Sequence, residues 1–127
     1  MLRSLSGNRL GPVGAASLAP ALAANGSLTV TNLLGNQLDA ESAKMLAEVA
    51  KQKGISLCGI QRNQTTAVLS RQGLKPPDAI LLASDLSQAG VTGSLTSLDV
   101  SKNRLGAEGA AALAPALAAN GALTKIA

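Results

Sequence analysis

Few side chains in this 127-residue chain could perform chemistry. The sequence contains no histidine, a single cysteine (Cys58) and seven acidic residues. Without histidine, zinc sites of the usual type cannot be built, and Cys58 has no imidazole to activate it as a nucleophile. We therefore interpret Cys58 as a small buried residue. A lone cysteine also excludes an internal disulfide.

The acidic residues are scattered along the chain, at Asp39, Glu41, Glu48, Asp78, Asp85, Asp99 and Glu108. General acid-base catalysis needs titratable groups that converge on one cleft, and the strand and helix register predicts no such pair. The sequence "GLKPPD" lacks the second glycine and the Lys-Ser/Thr pair of a phosphate-binding loop. The sequence predicts a protein that is not an enzyme and that uses no cofactor or metal.

Composition excludes further function classes. The net charge of +4 is dispersed, and the chain has no Phe, Tyr or Trp on which single-stranded nucleic acid could stack. No apolar run reaches the roughly 20 residues of a membrane helix. Residues 1–38 are acid-poor like an organellar targeting segment, but the same wording recurs at 103–124. We predict no nucleic-acid or membrane partner and, from the single cysteine, a cytoplasmic location.

An internal repeat dominates the sequence. Residues 8–29 and 103–124 agree at 18 of 22 positions. Asn8, Asn36 and Asn103 anchor the repeat, and Gln72 stands where a weaker middle copy would place its asparagine. An asparagine that turns inward after a strand can satisfy unpaired backbone groups, so we predict a structural ladder of Asn8, Asn36, Gln72 and Asn103. Asn120, at a helix end, is expected to matter much less to stability.

Each anchor follows a short alternating segment and precedes a helical one. In "LTSLDVS", Leu98 and Val100 are predicted to point inward, while Ser97, Asp99 and Ser101 point outward. The sequence predicts parallel strands at about 29–33, 67–70 and 97–101. It predicts helices at about 13–24, 40–53, 77–87 and 108–119. Pro20 and Pro115 should either bend or split their helices.

These units cannot bury their own apolar faces, so they must stack on one another. We place repeats at 1–27, 28–56, 65–94 and 95–122, with the start of a further repeat at 123–127. The insert, residues 56–64, and the sequence "SQAGVTG" at 87–93 are interpreted as loops or irregular turns. All of these units form a single domain, residues 1–127.

A strand of L-x-x-L-x-L followed by N-x-L-G and a full helix, seen around Asn103 with Val100 at the third apolar position, resembles the ribonuclease-inhibitor subfamily of leucine-rich repeats. The same repeat type occurs in NOD-like receptors, Ran GTPase-activating proteins and tropomodulin, and the alanine-rich wording is similar to protist arrays. The resemblance implies an α/β leucine-rich repeat solenoid. Its form would be a right-handed βα superhelix, a short curved array of about four repeats with parallel strands on the concave face.

The resemblance also implies a non-catalytic module that binds an unknown protein through the concave face. The residues that the register places on that face or just past its strand ends are Ser4, Ser6, Arg9, Val30, Asn32, Leu34, Thr66, Val68, Ser70, Ser97, Asp99, Ser101 and Arg104. The alternative is a regulator of an enzyme, such as a GTPase activator, or a fragment of a larger NOD-like-receptor-type protein.

The last residues, "ALTKIA", place Leu123 and Ile126 in the core positions of a further repeat. An open apolar edge with unpaired strand groups is a template for another chain. We expect either additional repeats in a longer chain or end-to-end self-association through the terminal strands.

Overall fold

The computed structural model of the protein describes residues 2–4, for their backbone, and residues 11–127. Helices and parallel strands alternate along most of this length, with an irregular middle. The elements are β1 (Leu2–Ser4), α1 (Gly11–Ala24), β2 (Val30–Asn32), α2 (Ala40–Lys53), β3 (Thr66–Val68), α3 (Pro76–Leu86), α4 (Ala89–Thr92), β4 (Ser97–Asp99), α5 (Gly106–Ala119) and β5 (Lys125–Ile126).

Among the described residues the strands form two small sheets, and the pairings within these sheets are parallel. β1 pairs with β2, and β3, β4 and β5 form a three-stranded sheet in that order. Parallel neighbours require a crossover between them, and the intervening helices supply it. The sequence-based prediction of parallel strands followed by helices is confirmed for β2, β3 and β4.

The four predicted long helices are present as α1, α2, α3 and α5, and they pack in the order α1 on α2, α2 on α3 and α3 on α5. Buried alanines such as Ala15, Ala43 and Ala79 face the core, so neighbouring helices can approach closely. Leucines of the helices, and leucines in or next to the strands, belong to the same core cluster. Apolar burial is therefore continuous from α1 to α5.

The helix ends follow the chemistry of the sequence. Asp39 caps α2, because its Oδ1 accepts a hydrogen bond from the Ser42 N–H at 2.8 Å, and Gly54 ends the helix at a positive φ of 69°. Pro76 begins α3, where proline is tolerated. α1 and α5 each continue through their internal proline, Pro20 and Pro115, so neither helix is split in two.

Two segments interpreted as loops or irregular turns contain more regular structure than that. Within "SQAGVTG", residues Ala89–Thr92 form the short helix α4. The start of the insert is not a free loop either: Ser56 and Cys58 form bridges to β2, and the Leu33 N–H donates to the Leu57 carbonyl at 2.8 Å. The reason is apolar burial, since Leu57, Cys58 and Ile60 of the insert belong to the core.

Candidate functional site

The strands β3 and β4 are buried on one side only. Ala67 and Leu98 point into the core and are almost inaccessible, whereas the residues on either side of them point outward. Register aligns the outward residues in rows across the sheet. We define the strand face as the outward residues Thr66, Val68, Ser97, Asp99 and Lys125.

The turns that follow β3 and β4 carry two cations at equivalent positions. Arg71 and Lys102 both have left-handed backbone conformations, with φ of 56° and 57°. The Arg71 N–H donates to the Ser101 carbonyl at 3.2 Å, which places the two turns side by side. Both side chains are exposed. We call Arg71 and Lys102 the turn pair.

Asp99 lies on the strand face beside the turn pair. Its Oδ1 accepts hydrogen bonds from the Ser101 hydroxyl at 2.6 Å and from the Ser101 N–H at 2.9 Å. These bonds, and to a smaller extent the charges of Arg71 and Lys102, hold the pKa of Asp99 below its ordinary value. Asp99 is therefore ionised near neutral pH and is engaged by Ser101.

Asn103 holds the two turns together. Its Oδ1 accepts from the N–H groups of Gln72 at 2.9 Å and Leu74 at 3.1 Å. Its Nδ2 donates to the carbonyls of Leu69 at 2.8 Å and Val100 at 3.0 Å. One amide thus bridges two successive strand-turn units, which is the geometry predicted for a ladder.

The other ladder positions differ among themselves. Asn36 is fully buried, and its Nδ2 donates to the Leu33 carbonyl at 2.9 Å. Gln72 does not take the predicted role: its side chain is exposed, and it contributes only its backbone N–H to Asn103. The turn after β2 is linked to the next unit by Asp78 of α3 instead, whose Oδ1 accepts from the Gly35 N–H at 3.0 Å. Asn8 lies outside the described residues.

The residues of the predicted concave face differ in solvent exposure along the chain. Val30 and Leu34 are buried, with 4% and 1% of their surfaces exposed, so neither can contact a partner. Unlike the edge strand β3, β2 has a neighbour on each side, since it pairs with β1 and the insert bridges to Val30 through Ser56. The alternation of inward and outward side chains ends at Asn32, where the chain turns. The Asn32 Oδ1 accepts a hydrogen bond from the Leu34 N–H at 3.1 Å within this turn, and the Leu34 side chain lies in the core.

The remaining predicted face residues are accessible to different degrees. Asn32 is half-buried and lies against the backbone of Gly59, where an added Cβ would be 3.3 Å from the Asn32 side chain. Thr66, Val68 and Arg104 are exposed, and Ser70, Ser97, Asp99 and Ser101 are half-buried. Ser6 and Arg9 lie outside the described residues, as does the side chain of Ser4. The accessible part of the predicted face is therefore the part on β3 and β4.

Sequence analysis did not identify the role of Asp85 on α3. This carboxylate is fully buried, and it accepts from the Ser56 hydroxyl at 2.7 Å, the Leu57 N–H at 2.8 Å and the Cys58 N–H at 3.2 Å. Asp85 thus accepts the backbone N–H groups of the insert that a neighbouring strand would otherwise accept. The available signal was helical register, because Asp85 lies on the same face of α3 as the inward Leu82.

Burial also determines the state of Cys58. Desolvation first, and then the nearby charges of Asp85 and Asp78, raise the pKa of the Cys58 thiol well above its ordinary value. The thiol is therefore protonated at neutral pH and inaccessible, in agreement with its interpretation as a small core residue.

The role of Asn120, at the end of α5, was also underestimated. Asn120 Nδ2 donates to the Leu86 carbonyl at 3.1 Å and to the Thr92 hydroxyl at 3.2 Å. Its Oδ1 accepts from the N–H groups of Ala122 and Leu123. The matching Asn25, 95 positions earlier, accepts from the N–H groups of Ser27 and Leu28. Their recurrence in both copies was the signal that could have indicated this role.

A pH dependence follows from Asp85. Its burial raises the pKa of the carboxyl from 3.8 to about 6, against the opposing hydrogen bonds from Ser56 and Leu57. Because the folded state holds this proton more tightly than the unfolded state, the resulting stabilisation is complete below about pH 3.8 and is lost as the pH rises through about 6. We expect the free energy of unfolding to be about 1 kcal/mol higher at about pH 5 than at about pH 7.

Urea unfolding followed by far-ultraviolet circular dichroism measures this difference, since the chain has no aromatic reporter. The Asp85→Asn variant is the control, and it should lose the dependence over this interval. The same slope in both proteins would show that another group is responsible.

The described residues contain no helix long and apolar enough to cross a membrane. Within residues 11–127 there is also no group of three or more His, Cys, Asp or Glu side chains placed to hold a metal ion.

Two stretches of the chain, residues 4–19 and 94–114, match the family model described as Leucine Rich repeat. The second match covers β4, the turn that contains Asn103 and the first part of α5. These matches support a leucine-rich repeat family. Together with the alternating helices and parallel strands they fit an α/β repeat fold. No curated protein matches the chain. Leucine-rich repeat domains generally mediate protein–protein interaction, and the family is generally non-catalytic.

Proposed function

We propose that this chain is a non-catalytic protein–protein interaction module that binds its partner through the strand face. The observation that carries the proposal is the one-sided burial of β3 and β4, which leaves ordered outward side chains in register across the sheet. A rigid sheet presents such a surface at little entropic cost on binding. Val68, with 62% of its surface exposed, supplies the apolar centre that interfaces need.

We further propose that the repeat units stack into a right-handed, ribonuclease-inhibitor-like solenoid, with the strand face on its concave side. The stacking order of α1, α2, α3 and α5 supports this arrangement, as do the bridges that Asn103 and Asn120 make between successive units. In such an array each unit contributes one strand to a common surface. The binding surface would then extend from β3 to β5.

Site-specific photocrosslinking in the native cell tests the proposed surface. A photoreactive phenylalanine derivative at Val68 should yield a discrete protein adduct. The same residue at Ala114, exposed on α5, should yield much less of that adduct. Adducts of equal yield at both positions, or only at Ala114, would contradict binding through the strand face.

The edge of the three-stranded sheet gives a second test, of self-association. β5 has β4 as its single neighbour among the described residues, and Ile126 is 51% exposed. Strand edges of this kind pair with other chains, so we expect the isolated protein to form dimers or larger species at micromolar concentration. Sedimentation with interference optics should detect these species, and Ile126→Lys should reduce them.

Val13→Lys is the matched control for Ile126→Lys, because Val13 is 82% exposed on α1. It adds the same charge away from β5 and should leave association unchanged. A monomeric wild-type protein, or equal effects of the two substitutions, would exclude pairing through β5.

A further inference from the structure

We propose that the segment bound by the strand face is an acidic peptide that also carries an apolar side chain. This inference rests on the proposed function and names the chemistry of the partner. Three features of the described residues support it: the fixed position of the turn pair, the local excess of positive over negative charge, and the exposed Val68 beside them.

The two cations of the turn pair are held next to each other by the backbone. Arg71 and Lys102 occupy the same position in successive turns, and the hydrogen bond from the Arg71 N–H to the Ser101 carbonyl joins those turns. Asn103 fixes both turns through Gln72 and Val100. Two like charges at neighbouring positions repel each other and favour an anion that bridges them.

The protein itself provides little to neutralise the turn pair. In the described part of the chain, neither cation forms an ion pair. Asp99 is the nearby acidic side chain, and the charges of both cations lower its pKa. That carboxylate accepts two hydrogen bonds from Ser101, and its single charge offsets one of the two cations. Arg104, exposed in the turn after β4, adds a further positive charge. The local charge is therefore positive, and a partner with carboxylates would complement it.

Val68 defines the apolar part of the ligand. Val68 is aligned with Asp99 across the sheet and lies three residues before Arg71. If an apolar residue of the ligand packs on Val68, the ligand residues next to it can therefore reach the turn pair. An arginine near the centre of an interface can also form bidentate bonds with a carboxylate. The predicted ligand is a short segment in which an aliphatic or aromatic residue is flanked by Asp or Glu.

Nucleic acid is the competing polyanion, and the observations favour it less. Single-stranded nucleic acid binds through aromatic platforms, which this sequence lacks entirely. Binding to phosphates also needs a longer track of cations than the turn pair and Arg104 provide.

Selection from a random peptide library displayed on phage tests the proposal, because it does not require that the partner be identified first. The wild-type protein is the bait, and recovered peptides are synthesised with a fluorescent label for polarisation assays. We expect enrichment of Asp and Glu around one apolar residue. Binding should weaken about tenfold or more in the Arg71→Glu/Lys102→Glu variant.

Lys51→Glu/Lys53→Glu is the matched control, because it makes the same change in net charge at exposed positions on α2. It should leave the affinity for acidic peptides nearly unchanged. Circular dichroism of both variants establishes that they fold. Equal weakening by the two variants would overturn the proposal, since net charge alone would then explain binding.

The remaining outcomes separate the two proposals. Suppose that the selected peptides are not acidic but bind the Val68→Ser variant more weakly than the wild-type protein. That result would overturn the proposal of an acidic ligand and would leave the strand face as the binding surface. Peptides insensitive to Val68→Ser and to the turn-pair variant would overturn both proposals. Failure to recover any peptide, or charge-dependent binding only to labelled oligothymidine or to phosphatidylserine-containing vesicles, would overturn the acidic-peptide ligand.

Discussion

Replacing Asp85 with alanine is expected to lower the free energy of unfolding by about 2–4 kcal/mol, the largest loss for any single side chain considered. The substitution leaves the Ser56 hydroxyl and the N–H groups of Leu57 and Cys58 without their buried acceptor. Each orphaned donor costs about 1–3 kcal/mol, and removal of a buried charge offsets part of the sum.

The loss should grow at mildly acidic pH, because the wild-type protein gains stability there as Asp85 takes up its proton. Urea unfolding at two pH values measures both effects. Glu48→Ala, at an exposed position on α2, is the control and should change stability little. A loss below about 1 kcal/mol for Asp85→Ala would mean that water or a local rearrangement provides new acceptors for the hydrogen-bond donors of the insert.

Asn103→Ala is expected to cost about 2–3 kcal/mol. It removes the acceptor of the buried Leu74 N–H and the donor to the Leu69 carbonyl, and so it breaks the bridge between the turns after β3 and β4. Asn63→Ala, at an exposed position in the insert, is the control and should be nearly neutral. If the two variants had similar stabilities, Asn103 could not be a ladder residue.

Asn36→Ala should cost about 1–3 kcal/mol, because this side chain is fully buried and donates to the Leu33 carbonyl. The expectation for Asn120 changes with the structure. Its amide bridges to Leu86 and Thr92 as Asn103 bridges to Leu69, so Asn120→Ala should destabilise the protein by a comparable amount.

The regular units were predictable because their pattern is local. A strand of alternating leucines, an asparagine and an alanine-rich helix lie within about 28 residues of one another, and near-identical copies reinforce the pattern. The ends of α2 and α3 were equally predictable, since the Asp39 cap, Gly54 and the proline pair at Pro76 act within one helical turn. These features depend on neighbours in the sequence.

The insert and its carboxylate were not predictable in this way. Asp85 contacts residues that precede it by 27 to 29 positions, and no local pattern connects them. A second distant pairing, between Val30 and Ser56, involves the predicted face. The alternation in β2 predicts an exposed Val30, but this side chain is buried in a strand to which the insert bridges. Tertiary packing overrode the local register.

Nuclear magnetic resonance tests the binding surface most directly. Backbone amide shifts of the isotope-labelled protein would be followed during titration with a peptide recovered by selection or with a crosslinked partner. We expect the largest shifts on β3 and β4, at Val68 and Asp99, and in the turn pair, with little change along the exposed sides of α1, α2 and α5. Shifts concentrated on those helices, with β3 and β4 unperturbed, would contradict the strand face as the site of interaction.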